Sequence, residues 1–219
     1  MKIKVCGMKY PENISEVAAL QPDYMGFIFW EPSKRHVADN SIQNIPTTIK
    51  KTGVFVDETQ SHILDKVKTH ELDAVQLHGK QSPQFCTDLK KALVQMKNVQ
   101  VEIIKVFSIA GSFDFDLLEP YESSCDFYLF DTKGKLPGGN GYTFDWSVLA
   151  SYPSTKPYFL SGGIDSASID KIKAFLKEPA AKYCYAVDVN SKFETKPGLK
   201  DVSLLATFFN VIKKQKIEL

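Results

Sequence analysis

The sequence has almost no net charge and no long apolar segment. Its 219 residues include 27 Lys and Arg against 26 Asp and Glu, which gives a formal net charge of +1. Such a balance offers no electrostatic reason to bind nucleic acid or an anionic membrane. No apolar run approaches the roughly 20 residues of a membrane span, and the chain starts in an alternating strand pattern. We therefore expect a cytoplasmic protein whose partner is a small molecule.

Cysteine is also scarce, and its four copies are far apart. They are Cys6, Cys86, Cys125 and Cys184. None has the short paired spacing that zinc sites and redox dithiols need, so we predict neither a metal site nor a disulfide. The last three fall in predicted helices or strand interiors, and we interpret them as packing residues.

Short β-rich runs alternate with helical patterns along the chain. The predicted strands cover residues 2–6, 24–29, 51–56, 73–77, 101–107, 126–131, 156–161 and 183–189. The clearest helical patterns lie at 63–67, 169–176 and 204–212, with weaker ones near 112–119 and 143–150. Eight such repeats in 219 residues predict an α/β protein with a closed (β/α)8 TIM barrel, not an open doubly wound sheet. We predict a single domain, residues 1–219.

The first strand ends in a candidate catalytic residue, Cys6. Catalytic groups of such barrels lie where strands end and the following loops begin. Lys4, two residues earlier, would point to the same face about 7 Å away. An ammonium group there would favour the Cys6 thiolate. The alternative is that Lys4 only pairs with a carboxylate inside the barrel.

Asp131 follows the apolar sixth strand, so a carboxylate emerges at the mouth of the predicted barrel. Helix capping is the alternative role. However, a Gly-rich stretch, 134–141, separates Asp131 from the next helix, for which Thr143 is the better cap. We interpret this stretch as a mobile loop that could act as a lid. Cys6 and Asp131 could therefore face each other across the mouth as base and acid.

Two further strand ends carry groups suited to anions. Gly162 and Gly163 precede a helix predicted to begin near Asp165, where bare backbone N–H groups and a helix N-terminus hold an anion. Asn190 and Ser191, after the eighth strand, add donors where this fold usually binds phosphate. A plain tight turn is the alternative for the glycines.

Arg35 is the sole arginine among the 27 basic residues and follows the second strand. Its planar guanidinium suits a carboxylate, although a solvated surface position fits the residue type equally well. Gln76 and His78, at the end of the fourth strand, are expected to line the barrel interior through hydrogen bonds. Asp188 ends the eighth strand.

Eight segments, in this order, resemble the phosphoribosylanthranilate isomerase family of tryptophan biosynthesis. They are KVCGM (4–8), GFIF (26–29) with SKR (33–35), GVFV (53–56), VQLHG (75–79), DTK (131–133), GGNG (138–141) with TFDW (143–146), LSGG (160–163) and AVDVNS (186–191). No single segment is decisive, but together they span almost the whole chain.

The resemblance implies an Amadori rearrangement of N-(5-phosphoribosyl)anthranilate, a small phosphorylated sugar derivative. It implies that Cys6 is the general base, Asp131 the general acid and Arg35 the group that holds the anthranilate carboxylate. No cofactor is implied, because the substrate's own nitrogen is the electron sink. We assign the remaining strand-end residues to the substrate (Gln76, His78 and Asp188) and to its phosphate (Gly162, Gly163, Asn190 and Ser191).

Two residues depart from the family pattern. Asn140 stands where relatives commonly carry Thr or Ser, and Lys192 stands where they commonly have Gly. A left-handed backbone would strain a non-glycine residue by roughly 1–2 kcal/mol. We therefore predict a negative φ at Lys192, with its ammonium turned towards the phosphate entrance; a solvated lysine is the alternative.

Other functions of related barrels compete with this one. An indoleglycerol phosphate synthase would need a catalytic Lys and Glu at strand ends, and the histidine-pathway aminoaldose isomerase an Asp in place of Cys6. A catalytically silent barrel that binds a sugar phosphate is disfavoured by Cys6, Asp131 and Arg35 together. The sequence leaves a monomer and a homodimer both open.

Overall fold

The computed structural model describes residues 1–96, 100–132 and 144–214. Eight parallel strands close into a barrel in sequence order, with β1 paired to both β2 and β8. They are β1 (Lys2–Val5), β2 (Tyr24–Ile28), β3 (Lys50–Phe55), β4 (Ala74–Leu77), β5 (Glu102–Ile109), β6 (Phe127–Thr132), β7 (Tyr158–Leu160) and β8 (Cys184–Val189). The predicted (β/α)8 barrel and all eight predicted strands are confirmed.

Five α-helices surround the barrel in the described part of the chain. They are α1 (Pro11–Ala19), α2 (Gln60–His70), α3 (Pro83–Gln95), α4 (Ile169–Phe175) and α5 (Val202–Ile212). Each presents an apolar face to the sheet, as Ile63 and Val67 of α2 do. A short hairpin, β9 (Glu194–Lys196) and β10 (Leu199–Lys200), lies between β8 and α5.

The weaker helical patterns do not form α-helices. The segments Phe115–Tyr121 and Trp146–Ser151 are 3₁₀ turns, so the predicted helices near 112–119 and 143–150 are wrong in type. Pro120 lies inside the first segment, and a proline has no N–H to continue an α-helical ladder. The N-cap of the second segment is Asp145, whose side chain accepts from Ser147 N. The predicted cap, Thr143, lies outside the described residues.

The register of the barrel is fixed at its amino-terminal end by three aspartates. Each precedes an even-numbered strand and accepts a hydrogen bond at 2.8 Å from a backbone N–H near the start of the strand before it. The pairs are Asp23 with Ile3, Asp73 with Lys51, and Asp126 with Ile103. Because a slip by one residue would break these bonds and turn each inward side chain outward, they hold the strand ends at the opposite edge in place.

Two layers of side chains form the core. A small cluster inside the barrel includes Tyr24, Ile104, Leu129 and Phe159, and a larger one fills the space between sheet and helices. The carboxyl end of the barrel interior is polar instead, with Gln76, Asp131 and Asp188 among its residues. Across the described residues, no helix is long and apolar enough to cross a membrane.

Candidate active site

A cavity opens at the carboxyl ends of the strands. All ten residues assigned from the sequence line it: Cys6, Arg35, Gln76, His78, Asp131, Gly162, Gly163, Asp188, Asn190 and Ser191. Ile28, Trp30, Val54 and Val56 add an apolar side. The parallel strands bring these residues together because their carboxyl ends all meet at one rim.

Cys6 and Lys4 share the inward face of β1, as predicted. The Lys4 ammonium lies 2.9 Å from Asp188 Oδ2, and both side chains are almost completely buried. The alternative pairing of Lys4 with a carboxylate inside the barrel is therefore present.

The Cys6 thiol is buried, and burial raises its pKa even though the charge of Lys4 opposes the rise. The net shift of the Cys6 pKa is therefore upward, although the Lys4 ammonium favours the thiolate as predicted. The physical reason is that desolvation of the buried thiolate outweighs the attraction of Lys4, whose charge is already shared with Asp188.

Asp131 is buried at the end of β6. Burial, and next the nearby charge of Asp188, raise the pKa of its carboxyl to about 6, while the Thr132 N–H, Lys4 and the Ser161 hydroxyl oppose the rise. His78 Nε2 lies 3.6 Å from Asp131 Oδ2. Burial and the charge of Lys4 lower the pKa of His78 to about 4, so this imidazole is neutral near pH 7.

Two buried acceptors at this end of the barrel have no hydrogen-bond partner among the described residues. They are Gln76 Oε1 and Asp188 Oδ1. An unpaired buried acceptor costs about 1–3 kcal/mol, and a ligand hydroxyl would remove that cost. Both residues line the cavity, so they are suited to hold a polyhydroxylated ligand.

Arg35 is not solvated at the surface, because its side chain is only 17% exposed and packs beside the cavity. Its Nε lies 2.9 and 3.0 Å from the two carboxylate oxygens of Glu194, and its Nη2 lies 2.8 Å from Oε2. Glu194 also accepts from Lys200 Nζ at 2.6 Å.

No role is predicted from the sequence for Glu194, Lys200 or Ser161. A signal for the hairpin was present, because Pro197-Gly198 predicts a tight turn between the segments that carry Glu194 and Lys200. The register shift between Leu199 and Lys200, which sets Lys200 opposite Glu194, has no such signal. Ser161 directly precedes the Gly162-Gly163 pair.

The predicted anion loops lie on the same side of the cavity. Gly162 and Gly163 have positive φ values of 91° and 66°, and a Cβ on Gly162 would lie 2.2 Å from Thr132 Oγ1, so the turn requires glycine. The helix predicted to begin near Asp165 starts as a 3₁₀ turn, Ser166–Ser168, that Asp165 caps with its own side chain.

Lys192 lies in another 3₁₀ turn, Ser191–Phe193, and lines the cavity. It is absent from the residues with positive φ in the described ranges, which confirms the predicted ordinary backbone. Asn140 and the Gly-rich stretch 134–141 lie outside the described residues. Within those ranges, no group of three His, Cys, Asp or Glu side chains is placed to hold a metal ion.

Comparison with known proteins supports the same chemistry. The family model described as N-(5'-phosphoribosyl)anthranilate (PRA) isomerase matches residues 3–211. The N-(5'-phosphoribosyl)anthranilate isomerase of Phocaeicola vulgatus is 41% identical over 218 residues, which cover 100% of both chains.

Two solved structures show the likeness in three dimensions. The phosphoribosyl anthranilate isomerase of Thermotoga maritima is 28% identical with a TM-score of 0.81, covering 98% of this chain and 100% of its own. A phosphoribosyl anthranilate isomerase in complex with reduced 1-(o-carboxyphenylamino)-1-deoxyribulose 5-phosphate is 26% identical with a TM-score of 0.77, over the same shares. With a matching family model, a full-length relative and a barrel whose cavity gathers these residues, the chain belongs to the N-(5'-phosphoribosyl)anthranilate isomerase family.

Proposed function

We propose that this cavity isomerises N-(5-phosphoribosyl)anthranilate to 1-(2-carboxyphenylamino)-1-deoxyribulose 5-phosphate, with Asp131 as general acid and Cys6 as general base. The observation that carries the proposal is that Asp131 and Cys6 line the same cavity at the carboxyl ends of the strands. Burial raises the pKa of the Asp131 carboxyl to about 6, which leaves a protonated fraction near neutral pH. Asp131 and Cys6 line one buried cavity from β6 and β1, so both reach a single bound substrate.

The reaction begins with two proton transfers, at two atoms that are bonded to C1, and ends with the tautomerisation of an enol. Asp131 gives its proton to the furanose ring oxygen; the C1–O bond breaks and the nitrogen lone pair forms a C1=N iminium. The Cys6 thiolate then removes the C2 proton, and the electron pair of that C–H bond forms C1=C2 and returns the nitrogen to neutrality. Tautomerisation of the enol, with a proton delivered to C1, gives the ketose. No atom is gained or lost, so no redox partner is required.

The raised pKa of the Cys6 thiol is compatible with the role of a base. The higher the pKa of a thiol, the more readily its thiolate removes a proton from carbon, although a smaller fraction of the thiol is then ionised. The iminium formed beside it is positively charged and favours the thiolate, together with Lys4 and the more distant Lys200.

The two anionic ends of the substrate have separate binding groups in this proposal. Arg35 holds the carboxylate, and the apolar side of the cavity around Ile28 and Val54 accommodates the aromatic ring. The phosphate is held by backbone and side-chain donors of Gly162, Gly163 and the Asn190-Ser191 loop. Between them, the free acceptors of Gln76 and Asp188 take hydroxyl protons, and neutral His78 lies beside the acid Asp131.

The remaining sequence expectations extend the proposal. The chain would act as one domain, in the cytoplasm, as a monomer or homodimer, on a small-molecule substrate and without a cofactor, metal, nucleic acid or membrane. Mass measurement in solution decides between monomer and dimer.

The test is the fluorescence of phosphoribosylanthranilate generated in place, which should fall when the protein is added. Cys6→Ala and Asp131→Asn should each lower kcat by about 10²- to 10⁴-fold, because each removes one proton-transfer group. Both should bind the reduced product analogue nearly as well as the unmodified protein. Cys86→Ala, at a buried thiol on α3 remote from the cavity, is the matched control and should keep its kcat.

Arg35→Ala should act differently from these variants. Loss of a charge-assisted contact to the carboxylate is expected to raise KM by about 10- to 100-fold with a smaller change in kcat. An unmodified protein that leaves the fluorescence unchanged would rule out the proposal. A silent barrel would bind the analogue without turnover, and a histidine-pathway isomerase would act only on its own aminoaldose.

A further inference from the structure

Arg35, Glu194 and Lys200 form a buried ion cluster beside the cavity, and the proposed chemistry uses only the first of them. The Glu194 side chain is 4% exposed and that of Lys200 is 0% exposed. Glu194 and Lys200 are cross-strand partners on the β9–β10 hairpin. Burying two such charges is costly, and well-packed apolar residues commonly stabilise a fold as well or better. Fold stability alone therefore does not account for this cluster.

All donors of the Lys200 ammonium are engaged. Nζ lies 2.6 Å from Glu194 Oε1, 2.8 Å from Asn190 Oδ1 and 3.3 Å from Asn190 O. Its backbone is fixed as well, because Asn13 of α1 accepts from Lys200 N at 2.7 Å and donates to Lys200 O at 3.0 Å. Lys200 therefore links Glu194, the partner of Arg35, to the loop proposed to hold phosphate.

Glu194 occupies only one edge of the Arg35 guanidinium. The Glu194 carboxylate accepts from the edge formed by Nε and Nη2. Because a guanidinium has five N–H donors, the edge formed by Nη1 and Nη2 still has donors for a second carboxylate. A pair of Arg35 and Glu194 alone would be neutral. The charge of Lys200 makes the cluster singly positive.

Within the cluster, each charged group favours the ionised form of its partner. Burial alone would raise the pKa of Glu194, yet the hydrogen bond from Arg35 and the charge of Lys200 hold it below its ordinary value. Burial lowers the pKa of Lys200, and Glu194 opposes this change.

The cluster also packs against the turn that follows Cys6. A Cβ on Gly7 would lie 2.6 Å from Asn190 Oδ1 and 2.8 Å from Arg35 Cδ, so both side chains pack closely against the backbone at Gly7. A shift of the Asn190 or Arg35 side chain would therefore change the packing around Gly7, which is the residue next to Cys6.

We propose that Glu194 and Lys200 are positioning residues. Glu194 fixes the Arg35 guanidinium so that its free edge meets the substrate carboxylate. Lys200 cancels the charge of Glu194 and holds the Asn190 side chain in place. The inference rests on the proposed role of Arg35 in carboxylate binding. Its consequence is that preference for a carboxylate on the ligand depends on Lys200, a residue that never touches that carboxylate.

The test compares two ligands, the reduced product analogue and its phenylamino counterpart without the carboxyl group. The ratio of their dissociation constants is measured by calorimetry. The unmodified protein should prefer the carboxylate about 10-fold or more. Lys200→Met should lose most of this preference, because an unopposed Glu194 neutralises Arg35. The double variant Lys200→Met with Glu194→Gln should recover it to within about threefold, because Arg35 is again singly positive.

If Lys200 had a purely structural role, Lys200→Met would weaken the binding of both ligands equally and leave the ratio of dissociation constants unchanged, and this result would overturn the proposal. A double variant whose carboxylate preference is no greater than that of Lys200→Met would also overturn it. Lys200→Gln, which keeps one donor without the charge, is the second variant if Lys200→Met does not fold, and it should shift the ratio in the same direction. Failure of the proposed function itself would look different, since the unmodified protein would then show no carboxylate preference.

Discussion

Cys6 has little room beside the backbone of the neighbouring strand. A Cβ on Gly26 of β2 would lie 2.7 Å from Cys6 Sγ and 3.1 Å from its Cα, so only glycine fits there. Gly26→Ala should therefore displace the thiol. Displacement of about 1 Å is expected to lower kcat about 100-fold with a retained fold.

Gly111→Ala is the matched control, because no atom lies within 4 Å of the added methyl group. It should leave kcat unchanged in the fluorescence assay. If Gly26→Ala turned over like the unmodified protein while circular dichroism showed it folded, the position of Cys6 would not be critical.

Asp131, the proposed general acid, is expected to destabilise the fold at neutral pH because its pKa is raised. Its folded pKa of about 6 exceeds the ordinary value of 3.8, so the folded state binds the proton more tightly than the unfolded state. The free energy of unfolding therefore falls as the pH rises from about 4 to 6. At 1.4 kcal/mol per pKa unit, this loss in the free energy of unfolding approaches about 3 kcal/mol above pH 6. An asparagine mimics the protonated carboxyl and avoids the loss.

Asp131→Asn should accordingly raise the free energy of unfolding at pH 8 by about 2–3 kcal/mol, and by less than about 1 kcal/mol at pH 4.5. Urea denaturation at the two pH values measures both. Asp116→Asn, at an exposed carboxyl, should show no such difference. A gain independent of pH would mean that the raised pKa is not its cause.

At the scale of elements, the Asn13 side chain of α1 is hydrogen-bonded to the β9–β10 hairpin. Asn13 is 2% exposed and makes two hydrogen bonds to the backbone of Lys200. Asn13→Ala would leave both backbone groups unpaired and should lower the free energy of unfolding by about 2–4 kcal/mol. Through Lys200, it should also reduce the carboxylate preference of the ligand pair.

Ser15→Ala, on the exposed side of α1, is the control and should change stability by less than about 0.5 kcal/mol. Urea titration and calorimetry provide the two readouts. A destabilised Asn13→Ala with full carboxylate preference would show that α1 supports the hairpin without affecting the site.

The connections between strands were less predictable than the strands. Patterns near 112–119 and 143–150 have helical spacing, yet they form 3₁₀ turns. A short apolar pattern fixes which face is buried but not how tightly the turn is wound. Prolines such as Pro120 and the packing of the turn against the barrel decide the latter.

For the molecule as a whole, a net charge of +1 does not describe the barrel mouth, where Asp131 and Asp188 line the cavity together with two cations. Arg35 and Lys192 line the cavity, and Lys200 lies just behind it. Local charge of this kind attracts an anionic substrate even when the whole surface is nearly neutral.

Lys192→Met should therefore lower kcat/KM at low ionic strength by about two- to fivefold and flatten its salt dependence. Lys91→Met removes a lysine with a side chain 69% exposed on the outer helix α3, and it should follow the curve of the unmodified protein. Superimposable curves for all three proteins would leave Lys192 as a solvated lysine on a tolerant loop.

The sequence by itself determined the barrel and the identity of most groups in the cavity. Alternation of strands and helices is a local property, and parallel strands bring their carboxyl ends to one rim. Cys6, Asp131 and Asp188 could therefore be placed together without knowing a single contact.

Only the tertiary structure decided which of these groups are partners and how they titrate. Lys4 meets Asp188 across 184 positions of sequence, and Arg35 meets Glu194 across 159. The direction of the Cys6 pKa depends on a balance between burial and the charge of Lys4. Such balances arise only when the barrel closes, because desolvation and long-range pairing are properties of the closed barrel and not of any segment within it.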